Sequence, residues 1–213
     1  MPISYTYKTL FIHIPKCAGT TVEKILGTCT PKEYFDYRWV LKSNPNFTKT
    51  PQHYTYKEIT SDISDISDFY VFSVVRNPYS RFVSEYKYRK RLFIQTKAPE
   101  HNPKTFSEFI ENLNLAEADR IKIFDAHLET QSSFVKNSDG QIEPSINIFK
   151  FENMAPCWEM LTQKTGIENP SLYWSRRSMD ITPYQGFYTA EQAATIYQFY
   201  KEDFDTFGYS QEL

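Results

Sequence analysis

Twice in this chain a short apolar run ends on a basic residue and leads straight into a helix-forming stretch. Thr9 to Ile14 is β-branched and aromatic, PKCAG follows, and Gly19 to Leu26 has helical apolar spacing at Val22, Ile25 and Leu26. Phe69 to Val75, FYVFSVV, is apolar nearly throughout, as befits a central strand covered on both faces. Arg76 comes next, then Asn77 and Pro78 as N-cap and first residue of a helix running to about Arg91. A third run, Ile146 to Phe151, precedes a helix from about Met154 to Thr165 that stops at Gly166. The last helix starts at Thr189, where Thr189 and Gln192 have capping-box spacing, and extends to about Phe204. Strands separated by helices predict an α/β layered fold with a mostly parallel sheet. Cys29 to Thr55, polar and rich in Pro, Asn and Tyr, reads as a long irregular connection of the kind that often carries function.

The chain has 213 residues, enough for a sizeable core, and shows no repeat, low-complexity tract or linker, so residues 1–213 are expected to form a single domain. Its formal charge of −2 gives no basic field to attract nucleic acid, and an anion site must be a local concentration of Lys and Arg. Cys17, Cys29 and Cys157 show neither a disulfide framework nor metal-ligand spacing; free thiols in a reducing compartment are the simplest reading. MPISYTYKTL lacks the apolar centre of a leader, and no run approaches the length of a membrane span. These features predict a soluble, cytoplasmic protein; nothing in the sequence sets its oligomeric state.

Backbone N–H groups at a helix N-terminus point at an anion while a lysine adds a full charge, so the PKCAGTT loop suits phosphate or sulfate. A Walker A loop needs GxxxxGK[ST], but here Lys16 precedes Gly19. A cysteine-phosphatase loop would place an arginine where this chain has Glu23, which leaves Cys17 as a small residue filling the turn. What remains, PKxxGTT, resembles the 5′-phosphosulfate loop of sulfotransferases that use 3′-phosphoadenosine 5′-phosphosulfate (PAPS). In VVRNPYSRFVSEYKYRK, Arg76 ends the strand and Ser84 stands two helical turns along; the pair resembles the 3′-phosphate motif of the same enzymes. Arginine's fork binds phosphate oxygens bidentately, and serine adds a neutral donor. Singly, Arg76 reads as a buried ion-pair partner and Ser84 as a solvated helix position. Jointly the two motifs describe the two ends of one ligand.

The resemblance covers most of the chain and points to the carbohydrate sulfotransferase branch that includes heparan 2-O-, chondroitin and HNK-1 sulfotransferases, with soluble bacterial relatives. Further matches are Gln52, His53 and Thr55 before Glu58 and Ile59, His127 with Gln131, the stretch FKFEN from Phe149 to Asn153, and the terminal YKEDFDTFGY. A third PAPS-contact region is represented by SRRS, with Arg177 and Ser178. The resemblance implies a P-loop NTPase-like, three-layer α/β sandwich that moves a sulfuryl group from PAPS to a hydroxyl of a carbohydrate or related acceptor, leaving 3′-phosphoadenosine 5′-phosphate (PAP). It implies PAPS contacts at Lys16, Cys17, Ala18, Gly19, Thr20, Thr21, Arg76, Ser84, Arg177 and Ser178, and no metal.

Sulfuryl transfer needs in-line geometry, charge stabilisation on the bridging oxygen and a base for the incoming hydroxyl. Lys16 is placed for the charge. His53, in the polar connection and at the family's histidine-bearing position, is the first choice of base, with His127 the alternative. His13 reads as a core or supporting histidine and His101 as exposed, while Glu23 and Glu85 on the motif helices read as local charge partners. Two other functions stay open: a P-loop-like nucleotide kinase, disfavoured by the lysine position, and a non-catalytic nucleotide- or glycan-binding relative.

Overall fold

The computed structural model describes residues 3–28, 49–63, 65–99, 102–173 and 182–213. Cys29, most of the polar connection, His101, Arg177 and Ser178 lie outside the described residues. In chain order the strands and α-helices are β1 (Ile3–Ser4), β2 (Thr9–Ile12), α1 (Gly19–Leu26), α2 (Tyr56–Asp62), β3 (Tyr70–Val75), α3 (Pro78–Thr96), α4 (Phe106–Glu111), α5 (Glu117–Phe124), α6 (Gln131–Phe134), β4 (Asn147–Lys150), α7 (Ala155–Thr165), α8 (Ala190–Phe199) and α9 (Lys201–Phe207). Residue contacts divide the chain into two compact units: Met1–Val75 with Gln131–Arg177, and Arg76–Thr130 with Ser178–Leu213.

The first unit holds the sheet. Among the described residues it has four strands in the order β1-β2-β3-β4, with β1 antiparallel to β2 and the other pairs parallel. This is the mixed α/β fold with a mostly parallel sheet that the alternating pattern predicts. The central strand is β3, buried from Val71 to Val75. Its one polar residue, Ser73, donates to the Ile12 carbonyl at 2.7 Å, which removes the cost of burying a hydroxyl. Phe72 packs between Phe11 of β2, tilted at 5.1 Å, and Phe149 of β4, edge-on at 6.1 Å between ring centroids. Because β2 and β3 are adjacent and parallel, their C-terminal ends lie at one edge of the sheet, the edge where open α/β sheets place ligand-binding loops. On the helical side α1 packs against α7, and α7 stops where Gly166 takes a left-handed φ of 71° that a side chain would oppose.

The second unit is helical with an aromatic core: Tyr79, Phe82 and Tyr86 of α3 meet Phe109 of α4, Phe124 of α5, Ile196 of α8 and Phe204 of α9. The predicted Asn77 cap forms, its side chain accepting from Ser80 N at 3.2 Å, and α3 continues to Thr96, past the expected end at Arg91, because no glycine or proline interrupts it. The expected single helix from Thr189 to Phe204 is instead two. Thr189 and Gln192 do form the capping box, but Tyr200 breaks the run at φ −99°, ψ 19°, and its buried hydroxyl donates to the Leu128 carbonyl at 2.7 Å. Among the described residues no helix is long and apolar enough to cross a membrane.

Candidate active site

In the first unit the chain leaves β2 and turns into α1 through two non-glycine residues in the left-handed region, Lys16 at φ 69° and Ala18 at φ 64°. Each such residue costs about 1–2 kcal/mol, a strain that persists only where the surroundings enforce it. The helical ladder begins with Thr21 N and Val22 N, both donating to the Ala18 carbonyl at 2.9 and 3.3 Å. The N–H groups of Gly19 and Thr20 stand ahead of that ladder, where a helix start can receive an anion. Lys16 is half-buried, and its side chain belongs to the same turn. Cys17 is fully buried, its thiol pointing to the Pro15 carbonyl and to Oε1 of Gln131, both at 3.5 Å. Burial pushes the Cys157 thiol up to about 12, which leaves it inert as a nucleophile.

The glycine of the motif has a local cause. A Cβ at Gly19 would lie 1.9 Å from Nε2 of His13, so the imidazole occupies the space that any side chain there would need. His13 in turn presents Nδ1 to Oε1 of Glu23 at 2.8 Å, and Oε2 of the same carboxylate accepts from Gln52 Nε2 at 2.6 Å. His13, Glu23 and His53 are all buried. Thus Glu23, expected to be a local charge partner, joins the strand exit to the 3₁₀ turn Pro51–His53. His53 lies against the loop's base: Nδ1 is 3.3 Å from the His13 carbonyl, and the two imidazoles meet edge-on at 4.9 Å. Since a carbonyl only accepts, neutral His53 carries its proton on Nδ1 and its basic lone pair on Nε2. Thr55 and Glu58 complete the segment as a capping box that starts α2.

In the second unit Arg76 stands just before the Asn77 cap of α3 and donates from Nε to Ser80 Oγ at 2.9 Å; Ser84 is half-buried further along the helix. Between them Arg81 is buried and donates to the carbonyls of His127 and Glu129, both at 2.9 Å. Those bonds hold a tight bend in which Asp125 and Ala126 have φ of 53° and 61°. His127 directs Nδ1 to Oε2 of Glu85 at 2.7 Å, and Oε1 of Glu85 accepts from Arg89 Nε at 2.7 Å. Tyr88 stacks on the His127 ring at 5.8 Å. Burial lowers the pKa of His127 below the ordinary histidine value; the Glu85 carboxylate opposes that shift and Arg89 adds to it.

The structure therefore groups Lys16, Ala18, Gly19, Thr20, Thr21 and His53 in the first unit, and Arg76, Ser84 and His127 in the second. The FKFEN stretch covers the end of β4 and the turn after it, with Phe151 N donating to the Val75 carbonyl at 2.7 Å, and the terminal YKEDFDTFGY supplies buried Phe204 and Phe207. A protein-family comparison matches residues 1–210 to a model described as the sulfotransferase family. Comparisons with curated proteins and with solved structures returned no match.

Proposed function

This chain belongs to the sulfotransferase family, and from that membership we propose that residues 1–213 act as one domain that moves a sulfuryl group from PAPS to a hydroxyl of a carbohydrate or related acceptor. The observation that carries the reading is the seating of His53 on the His13 carbonyl at 3.3 Å, at the base of the loop that bears Lys16. A proton acceptor and an anion loop are anchored to the same strand exit. Bound PAPS supplies the sulfuryl group: the acceptor oxygen bonds to sulfur as the bond from sulfur to the phosphate oxygen breaks, and PAP is released.

The remaining work falls to side chains and N–H groups. Lys16, the Gly19 and Thr20 N–H groups and the threonine hydroxyls would hold the phosphosulfate end and offset charge gathering on the bridging oxygen. The half-buried lysine and the helix start in front of it fit an anion of this kind. Arg76 and Ser84 would grip the 3′-phosphate, with Arg177 and Ser178 as further contacts. His53 would accept the acceptor's proton at Nε2, a role worth roughly 10² to 10⁴ in rate. One observation favours a second choice of base: His127 has a carboxylate partner in Glu85, the arrangement that stabilises an imidazolium once it forms.

Incubation with sulfur-labelled PAPS over a panel of glycans, lipids and small alcohols tests the proposal. PAPS-dependent label on at least one hydroxyl acceptor, with matching release of PAP, is the expected result. Label on none of them, from protein that is folded and binds PAP, would replace the enzyme with a binding module.

A further inference from the structure

Glu23 is a buried carboxylate whose two oxygens serve two distant segments of the chain, His13 at 2.8 Å and Gln52 at 2.6 Å. A local charge partner would not need that arrangement. α1 already buries Val22, Ile25 and Leu26 for its packing, so an apolar residue at position 23 would serve the core at lower desolvation cost. What an apolar residue could not do is bind an imidazole and an amide at once. His13 lies over Gly19, within the anion loop, and its carbonyl receives Nδ1–H of His53. Gln52 is the residue before His53. Both routes from Glu23 thus end at His53, one through the strand exit and one through the 3₁₀ turn.

We propose that Glu23 is a positioning residue for the transfer reaction: by clamping His13 and Gln52 it holds the His53 imidazole in one orientation and one tautomer beside the Lys16 loop. The inference rests on the reading of His53 as base in a PAPS-dependent transfer. Glu23 itself touches no reacting atom. The clamp sets how well Nε2 of His53 meets the acceptor hydroxyl, and leaves the phosphate contacts of Lys16 in place.

Gln52→Ala removes one arm of the clamp at a half-buried site, and Glu23→Gln keeps the shape of the side chain while removing its charge. At saturating PAPS, Gln52→Ala should lower kcat roughly 10- to 100-fold, the scale of a misplaced catalytic group, while PAP affinity measured by calorimetry stays within about twofold. In a His53→Ala background the same Gln52→Ala change should cost nothing further, because both act through one group. An equal loss of kcat in both backgrounds, or no loss in the wild-type background, overturns the proposal. Imidazole nitrogen NMR decides it without turnover. Wild-type His53 should show the single Nδ1–H tautomer, and both variants should show a mixture; a single unchanged tautomer in both variants overturns the clamp. Wild-type protein that binds PAP and transfers nothing would overturn the transferase reading alone, and the NMR result would still decide the clamp.

Discussion

Nδ1 of His127 lies 2.7 Å from Oε2 of Glu85, and the imidazole donates to a carboxylate that Arg89 holds from its other oxygen. Burial lowers the pKa of His127, Glu85 raises it, and burial prevails. Replacing Glu85 with Gln removes the carboxylate that opposes the shift, so His127 should titrate at lower pH in Glu85→Gln than in the wild type, as read by imidazole proton shifts. A histidine with a lowered folded pKa contributes stability that is complete above its unfolded value of about 6.5 and is lost as pH falls through the folded value. Urea unfolding at about pH 7.5 and about pH 5.5 should show a larger drop for the wild type than for His127→Gln. Equal drops would mean that His127 does not carry this linkage.

Gly19→Ala should destabilise by about 1–3 kcal/mol, the usual cost of forcing volume into a packed site, since its Cβ would meet the His13 ring. Combined with His13→Ala the cost should largely vanish, because the obstructing imidazole has gone. Chemical denaturation of the two single variants and the double variant gives the coupling. A cost for Gly19→Ala that is the same in both backgrounds would place its origin elsewhere in the loop.

Much of this was legible in the sequence. The α1 boundaries, Gly19 to Leu26, follow from apolar spacing, and β3 follows from an unbroken apolar run that only a doubly covered strand tolerates. Two helices were legible and missed: Thr55 with Glu58 and Thr105 with Glu108 carry the same capping-box spacing that marks Thr189 with Gln192. The pairings of His13 with Glu23, His127 with Glu85, and Arg81 with the bend at His127 were not legible. Each joins positions that local patterning cannot relate, and a glutamate inside a helix looks alike whether it faces water or a buried imidazole. The break at Tyr200 is of the same kind, since its hydroxyl meets a carbonyl at Leu128, far away in the sequence.

Arg76→Ala should weaken PAP binding roughly 10- to 100-fold while shifting folding stability far less, given charge-assisted phosphate bonds of about 1.5–3 kcal/mol. Ser84→Ala should act in the same direction more mildly. Lys16→Ala should lower kcat more than PAP affinity, because its charge matters most as the bridging oxygen turns negative. Calorimetry and saturating-PAPS kinetics on the three variants separate these effects. Unfolding of Arg76→Ala without a separable binding defect would make the arginine structural, and an unchanged kcat in Lys16→Ala would remove it from catalysis.

His53→Ala should bind PAP like the wild type yet lose about 10²-fold or more in transfer. His127→Ala is its matched comparison, and should retain more transfer. The reverse ranking would assign the base to His127, whose partner is Glu85, and retention of transfer in both would pass the proton to another acceptor.

Calorimetric titration of the wild-type protein with PAP and, separately, with ADP tests whether this chain is built for a nucleotide carrying a 3′-phosphate. If Arg76 and Ser84 grip that phosphate, PAP should bind about tenfold or more tighter than ADP. ADP binding as tightly as PAP, or more tightly, would contradict a PAPS-dependent sulfotransferase and favour a nucleotide kinase.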